Sequence, residues 1–251
     1  MFNGMFDRFR ASNDRKFDLI FMSHVLEHIV NPMQFINECA ALCNRYMFIE
    51  VPCLDLKFVD EPLGMFAEEH VNVFTVQGLW SLMHRAGFSP IAFEMPFGLH
   101  QYLPAGWPAI STIWRKGDPI EPVSSMIAGS ADCLNKYLDV SEKLRRRIDD
   151  RIKKIDRQER LAVWGVGHHI SMLLANTDLI NKNIVRVYDS DRRKHHHKVC
   201  DVPVTAFSPD DISSGAVDAI LITTYTAQRA IKNFIDRQNL RCKIFTLYDI
   251  P

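Results

Sequence analysis

The sequence predicts a mixed α/β protein with two compact bodies joined by a long helix. Three observations carry this prediction: short apolar runs of strand-forming residues, helical patterns that alternate with these runs, and one long stretch without proline or glycine. Short apolar runs are typical of parallel strands that are buried on both faces. The long stretch, 130–160, separates one series of such runs from the next, so it divides the chain into two α/β bodies.

The first body opens with the apolar run 17–22, which we expect to be a buried parallel strand. Asn31 and Pro32 then offer a helix N-cap and a proline at the first helical position. A second strand is expected over 46–51, and a helix over 76–86 that ends at a glycine. A region rich in proline and glycine follows, and it holds one further strand.

The second body repeats this alternation after the long helix. In chain order, the elements expected are a strand at 161–164, a helix at 168–174, strands at 184–188 and 219–223, a helix at 227–237 and a strand at 243–248. The domain boundaries that follow are 1–122, 123–158 for the connecting helix, and 159–251.

Composition excludes several kinds of partner. Thirty basic and thirty acidic residues leave no net charge, so we expect neither a nucleic-acid partner nor a membrane. No apolar run reaches the ~18 residues of a spanning helix, and no signal peptide opens the chain, which favours a cytoplasmic protein. The six cysteines form no C-x-x-C pair, so free thiols are expected. The long helix and an exposed sheet face favour a homo-oligomer.

The first candidate site follows the first strand. Ser23, His24, Glu27 and His28 come at the carboxyl end of this strand, where open α/β sheets place their ligands. A second interpretation stays open: the two histidines, four residues apart, only share one face of a short helix.

Glu69 and His70 form a second candidate site. An imidazole beside a carboxylate, on a loop between a strand and a helix, suits general-base catalysis because the unperturbed pKa of histidine is near neutrality. A structural role for the pair is the alternative that composition alone leaves open.

A third candidate site lies in the second body. Gly165 and Gly167 stand at a strand-to-helix turn, where backbone amides approach a phosphate closely, and Asp189 ends the next strand, as a ribose-binding acid does. Ile170 replaces the third glycine of the dinucleotide fingerprint. A structural turn, a nucleotide contact and a working NAD site are the three interpretations.

Three adjacent histidines, 195–197, suggest a metal at first sight. They lie in a basic loop, and no carboxylate or cysteine completes a ligand set at the usual spacing. A solvated loop is therefore expected, and we predict no metal site in the chain.

Four spaced motifs closely resemble class I SAM-dependent methyltransferases over about residues 1–95. They are FDLIFMSHVLEHIVNP from residue 17, FIEVP from residue 48, EEHVNVFT from residue 68 and LMHRAGF from residue 82. The resemblance implies a partial Rossmann-like methyltransferase sheet and S-adenosyl-L-methionine (SAM) as cofactor. Ser23, His24, Glu27 and His28 would line the SAM pocket.

The second body resembles the C-terminal Rossmann-like domain of sugar C-methyltransferases, on the strings WGVG, VYDSD, VCDVPVTAFSPDDI and VDAILITTY. This resemblance implies His70 as the base that removes a substrate proton, with Glu69 as its neighbour. It also implies a small-molecule substrate, a nucleotide-linked sugar. Ala67 departs from the pattern, because those enzymes commonly carry tyrosine there, and C-methylation stays open.

The resemblance also places a glycine-rich SAM loop and three strands before Phe17. These need about sixty residues, whereas sixteen precede Phe17. We expect this chain to lack the loop, with a truncated reading frame as the first explanation and a short pseudo-enzyme as the second. The predicted function is SAM-dependent methyl transfer, inactive if the loop is absent. The alternative is a non-catalytic nucleotide-sugar-binding or scaffold protein.

Overall fold

The computed structural model describes residues 6–11, 15–55, 64–66, 69–94, 109–120, 129–225, 227–238 and 240–249. The chain divides into two compact units, residues 1–58 with 65–137 and residues 59–64 with 138–251. Each unit is built on one sheet that contains parallel strands, and helices pack against it. The predicted α/β class is therefore confirmed. No helix among the described residues has the length and apolar content needed to cross a membrane.

The first unit holds a four-stranded sheet. Its strands are β1 (Phe17–Ser23), β2 (Cys43–Pro52), β3 (Phe88–Glu94) and β4 (Ala109–Lys116). The α-helices that lie wholly within this unit are α1 (Phe6–Ala11), α2 (Pro32–Leu42) and α3 (Val76–Arg85). The strand order is β1-β2-β4-β3, with β1 and β2 parallel and the other two pairs antiparallel. The predicted parallel strand is thus present, but its expected burial on both faces is wrong. β1 lies at the edge of the sheet, and Leu19 and Phe21 are exposed there.

Side-chain alternation gives the sheet one core face. Met47, Ile49 and Val51 of β2 are fully buried in a cluster with apolar residues of α2 and α3. The residues between them point to the opposite face, where Phe48 stacks on Phe21 of β1 with ring centroids 4.6 Å apart. Residue 50 therefore also lies on the face opposite the core, at the carboxyl end of β2.

Local capping signals begin and end the helices of the first unit. The Asn31 side chain accepts a hydrogen bond from a backbone N–H of the first turn of α2 at 3.1 Å, and Pro32 follows it. Thr75 caps α3 in the same way at 3.0 Å. Gly87, with a φ of +82°, follows α3 and lets the chain turn back into β3.

The long helix, α4 (Gly129–Lys153), ends earlier than the expected residue 160. Asp156 explains this end, because its side chain accepts from the backbone N–H of Gln158 at 2.9 Å and holds the chain in a turn. Ile148 and Ile152, near the end of α4, are fully buried in the core of the second unit.

The second unit holds a six-stranded sheet in the order β10-β9-β5-β6-β8-β7. Its strands are β5 (Leu161–Trp164), β6 (Ile184–Tyr188), β7 (Lys198–Val199), β8 (Val202–Thr205), β9 (Ala219–Ile222) and β10 (Lys243–Thr246), and its helices are α5 (His168–Asn176), α6 (Pro209–Ser213) and α7 (Gln228–Arg237). All pairs are parallel except β7 with β8. Every residue of β5 and β9 is buried, as expected for central parallel strands.

Candidate functional site

The carboxyl ends of β1 and β2 lie side by side and bring the first candidate residues together. Ser23, the last residue of β1, pairs in register with Glu50 of β2. His24 donates its backbone N–H to the Glu50 carbonyl at 3.0 Å and has a φ of +50°. A positive φ is uncommon for a residue other than glycine. The surrounding structure therefore holds His24 in a strained conformation.

Glu50 is a buried carboxylate that the sequence analysis missed. It is 0% exposed, and it accepts hydrogen bonds from the Ser23 hydroxyl at 2.8 Å and the Ser111 hydroxyl at 2.6 Å. The His24 Nε2 atom lies 3.8 Å from the same carboxylate. One signal was visible in the sequence: a glutamate interrupts the apolar strand FIEVP, and charged residues are almost never buried without a partner.

Glu27 is the second buried carboxylate of the site. It lies in the short 3-10 helix Leu26–His28 and is 1% exposed. Its Oε1 atom lies 3.0 Å from His24 Nδ1 and 3.9 Å from His28 Nε2. Because His24 precedes the 3-10 helix, the two histidines do not share one helix face. They approach the same carboxylate instead.

His28 and His70 come together although 41 residues separate them in sequence. Their rings meet edge to face with centroids 5.0 Å apart. His28 Nδ1 donates to the Glu69 carbonyl at 2.8 Å, and His70 Nδ1 donates to the Met65 carbonyl at 3.2 Å. One ligand-type atom each from Glu27, His28 and His70 lies within 4.8 Å of the others. We call these three residues the Glu27–His28–His70 cluster.

Glu69 and His70, which were predicted to act as a pair, contribute to the site in different ways. The His70 imidazole belongs to the cluster, whereas the Glu69 side chain is exposed and its backbone carbonyl orients His28. Asn72, two residues beyond His70, donates its backbone N–H to the Glu27 carbonyl at 3.0 Å. Residues 69–72, which we call the EH segment, are therefore hydrogen-bonded directly to the segment that follows β1.

The glycine turn of the second unit has a structural explanation at its first glycine. Gly165 has a φ of +116°, and a Cβ atom there would lie 3.1 Å from the Cβ of Thr224. Gly167 differs, because a Cβ built on it has no atom of the described residues within 4 Å. A nucleotide contact at this turn stays a prediction, with Gly167 as the glycine that is open to one.

Asp189 is engaged within its own loop. One carboxylate oxygen accepts from Val166 N at 2.8 Å and from the Lys194 ammonium at 3.0 Å, and the other accepts from Asp191 N at 2.8 Å. Burial would raise the pKa of this carboxyl, but these hydrogen bonds and the lysine charge outweigh burial and lower the pKa. The predicted ribose contact through Asp189 has to compete with these partners.

The three adjacent histidines join no group of possible metal ligands among the described residues. His195 Nε2 contacts the Asp189 carbonyl at 2.8 Å, and the rings of His196 and His197 lie 3.9 Å apart. Within the part of the chain that the structure describes, the only group of three or more residues placed to hold a metal is the Glu27–His28–His70 cluster.

Comparison with known proteins agrees with the motifs of the first unit. Residues 2–92 match the family model described as a methyltransferase domain. No curated protein matches the chain. The matched segment contains β1, β2 and the whole Glu27–His28–His70 cluster. Residues 2–92 are thus similar to a methyltransferase domain, which supports a class I SAM-dependent methyltransferase.

Proposed function

We propose that this protein transfers a methyl group from SAM to a small molecule, and that the substrate is a nucleotide-linked sugar. The observation that carries the proposal is the pair of buried carboxylates, Glu27 and Glu50, with partly exposed histidines beside them at the carboxyl ends of β1 and β2. This group lies within the segment that is similar to a methyltransferase domain. The carboxyl end of parallel strands is where open α/β sheets place ligands.

The residues at this position fit a cationic cofactor. SAM carries positive charge on its sulfonium and amino groups, and the site holds two buried carboxylates, Glu27 and Glu50. The Oε2 atom of Glu27 has no hydrogen-bond partner among the described residues. A buried acceptor in this state costs about 1–3 kcal/mol, so a bound group that donates to it is favoured. Ser23, His24, Glu27 and His28 would line the cofactor, which supplies an electrophilic methyl group when bound.

His70 is the proposed proton acceptor. Donation of its Nδ1 proton to the Met65 carbonyl selects one tautomer and leaves the Nε2 lone pair free to accept. A substrate hydroxyl or C–H group that reached Nε2 would give its proton to His70. Bound SAM would supply the methyl group, and its sulfur would keep the electron pair of the broken sulfur–methyl bond. Glu69 contributes through its backbone, because its carbonyl orients the His28 ring beside His70.

Transfer of a labelled methyl group from SAM to a panel of nucleotide-linked sugars tests the proposal. Provided that SAM binds without the glycine-rich loop that the resemblance places before Phe17, we expect labelled product from the full chain. His70→Gln should then lose about 100-fold or more of the rate, since general-base catalysis typically contributes 10²–10⁴-fold. His196→Gln is the matched control, because this histidine lies in a loop of the second unit. Labelling of other small molecules but no sugar would contradict the substrate class. No labelling of any acceptor would contradict methyl transfer.

The alternative, a non-catalytic protein that binds a nucleotide-linked sugar, is favoured by one observation. The open space at Gly167, the N-cap of α5, leaves room for a phosphate beside the helix N-terminus. Titration of the full chain with a nucleotide-linked sugar in the absence of SAM tests this alternative. Binding that is lost in Gly167→Val without any methyl transfer would support it over the enzyme.

A further inference from the structure

We propose that the Glu27–His28–His70 cluster is a binding site for a divalent transition-metal cation. The proposal stands on the geometry of the cluster and does not depend on methyl transfer. It also changes the expectation from the sequence, which predicted no metal site.

The first argument is the buried oxygen of Glu27. The side chain is 1% exposed, and its Oε2 atom has no hydrogen-bond partner among the described residues. Its Oε1 atom already accepts from His24 Nδ1 at 3.0 Å. A buried carboxylate is stabilised only when paired or coordinated to a metal. A cation in contact with Oε2 would satisfy the remaining oxygen.

The second argument is the orientation of the two imidazoles. His28 and His70 each donate Nδ1–H to a backbone carbonyl, at 2.8 and 3.2 Å. Histidines that bind metals almost always donate their other ring N–H in this way, because the hydrogen bond sets the tautomer and the ring orientation. Both Nε2 atoms therefore carry lone pairs suited to coordination. Neither can donate a proton to the Glu27 carboxylate in this tautomer.

The third argument is distance. Metal–nitrogen and metal–carboxylate bonds of about 2.0–2.2 Å place tetrahedral ligand atoms roughly 3.4 Å apart. The cluster atoms lie within 4.8 Å of one another, and His28 Nε2 is 3.9 Å from Glu27 Oε1. Small side-chain rotations would close the remaining gap. The His28 side chain is 35% exposed, which leaves an entry path from solvent.

The ligand set selects the kind of cation. Two imidazoles and one carboxylate suit Zn²⁺, Co²⁺ and similar ions better than Ca²⁺ or Mg²⁺, which prefer all-oxygen sites. Three protein ligands leave a fourth position for water or a substrate oxygen. A cation and a proton exclude one another on His70 Nε2. With the metal bound, His70 could not accept a proton, and the metal would instead make a substrate hydroxyl bound to it easier to deprotonate.

Calorimetric titration of the full, chelator-treated chain with ZnCl₂, without SAM, tests the site. We expect one saturable equivalent and a loss of affinity of at least about tenfold in both Glu27→Gln and His70→Gln. The matched control carries His196→Ala and His197→Ala, which removes two of the three adjacent histidines of the second unit, and its binding should be unchanged. Absence of saturable binding, equal binding in the two cluster variants, or loss of binding in the control would each overturn the proposal.

A second measurement guards against misfolding of the variants. Glu27→Gln keeps the size of the side chain and an oxygen that can accept from His24 Nδ1. Thermal unfolding without metal should therefore give each variant a midpoint close to that of the unchanged chain. Added Co²⁺ should raise the midpoint of the unchanged chain and give tetrahedral visible absorption, and it should do neither in His70→Gln. Equal effects of Co²⁺ on both chains would refute the site, whatever a SAM titration shows.

Discussion

Replacement of Gly165 by alanine should destabilise the second unit through the backbone. Gly165 follows β5 with a φ of +116°, a conformation that L residues rarely adopt. The added Cβ would also lie 3.1 Å from the Cβ and 3.2 Å from the Cγ2 of Thr224. These atoms belong to a neighbouring side chain whose branch point cannot swing away, so the contact has to be relieved by movement of the backbone.

Two costs combine in Gly165→Ala. A residue held in a sparsely populated backbone region costs about 1–3 kcal/mol, and overpacking in a well-packed region costs about 1–3 kcal/mol. The lower bounds give a loss of at least about 2 kcal/mol in the free energy of unfolding. Gly167→Ala is the matched control. Its φ is −119° and no atom in the described part of the chain lies within 4 Å of the added Cβ, so a change below about 0.5 kcal/mol is expected.

Urea denaturation followed by circular dichroism measures both variants. The expected result is a lower midpoint for Gly165→Ala and an unchanged midpoint for Gly167→Ala. If Gly165→Ala unfolds within about 0.5 kcal/mol of the unchanged chain, the strain argument is wrong. If Gly167→Ala is as unstable as Gly165→Ala, the positive φ of Gly165 and the close approach of Thr224 do not explain the loss of stability.

Three further predictions concern buried titratable groups. The lowered pKa of Asp189 stabilises the fold above the ordinary value of 3.8 and is lost as pH falls through the native value, so Asp189→Asn should flatten the acid dependence of the melting temperature below that pH. An unchanged acid slope would contradict this. Burial raises the pKa of Cys39 and Cys53 to about 12, so neither thiol should be alkylated in the native chain at mildly alkaline pH. The exposed Cys200 should react under the same conditions, and peptide mapping of the alkylated chain can show the difference. Glu50→Ala should destabilise the first unit by about 1–3 kcal/mol, because the buried Ser111 hydroxyl and the half-buried Ser23 hydroxyl lose their acceptor. Chemical denaturation with an unchanged midpoint would count against this.

The fold was predictable where local chemistry decides structure. Asn31 and Pro32 predicted a helix N-terminus, and the apolar run before Ser23 predicted a parallel strand. The hairpin of β7 and β8 was not predicted, since its turn residues, Cys200 and Asp201, both adopt a positive φ without the usual asparagine or glycine. No local pattern signals such a turn.

The candidate site was predictable residue by residue but not as an arrangement. His28 and His70 were singled out for different reasons, and only the packing of the EH segment beside the 3-10 helix brings their rings together. A metal-ligand pattern is read from spacing, and 41 residues of separation give none. Glu50 was overlooked because its strand appears apolar, although its carboxylate joins Ser23 to the neighbouring strand β4.

Calorimetric titration of SAM into the full chain, with chelator present, tests the proposed methyl transfer most directly. One saturable site is predicted, with weaker binding in Glu27→Gln, because this variant removes a buried negative charge that faces the cationic cofactor. Binding should be unchanged in His196→Ala, which alters only the loop of the second unit. A folded chain that gives no saturable heat with SAM would contradict the proposed function.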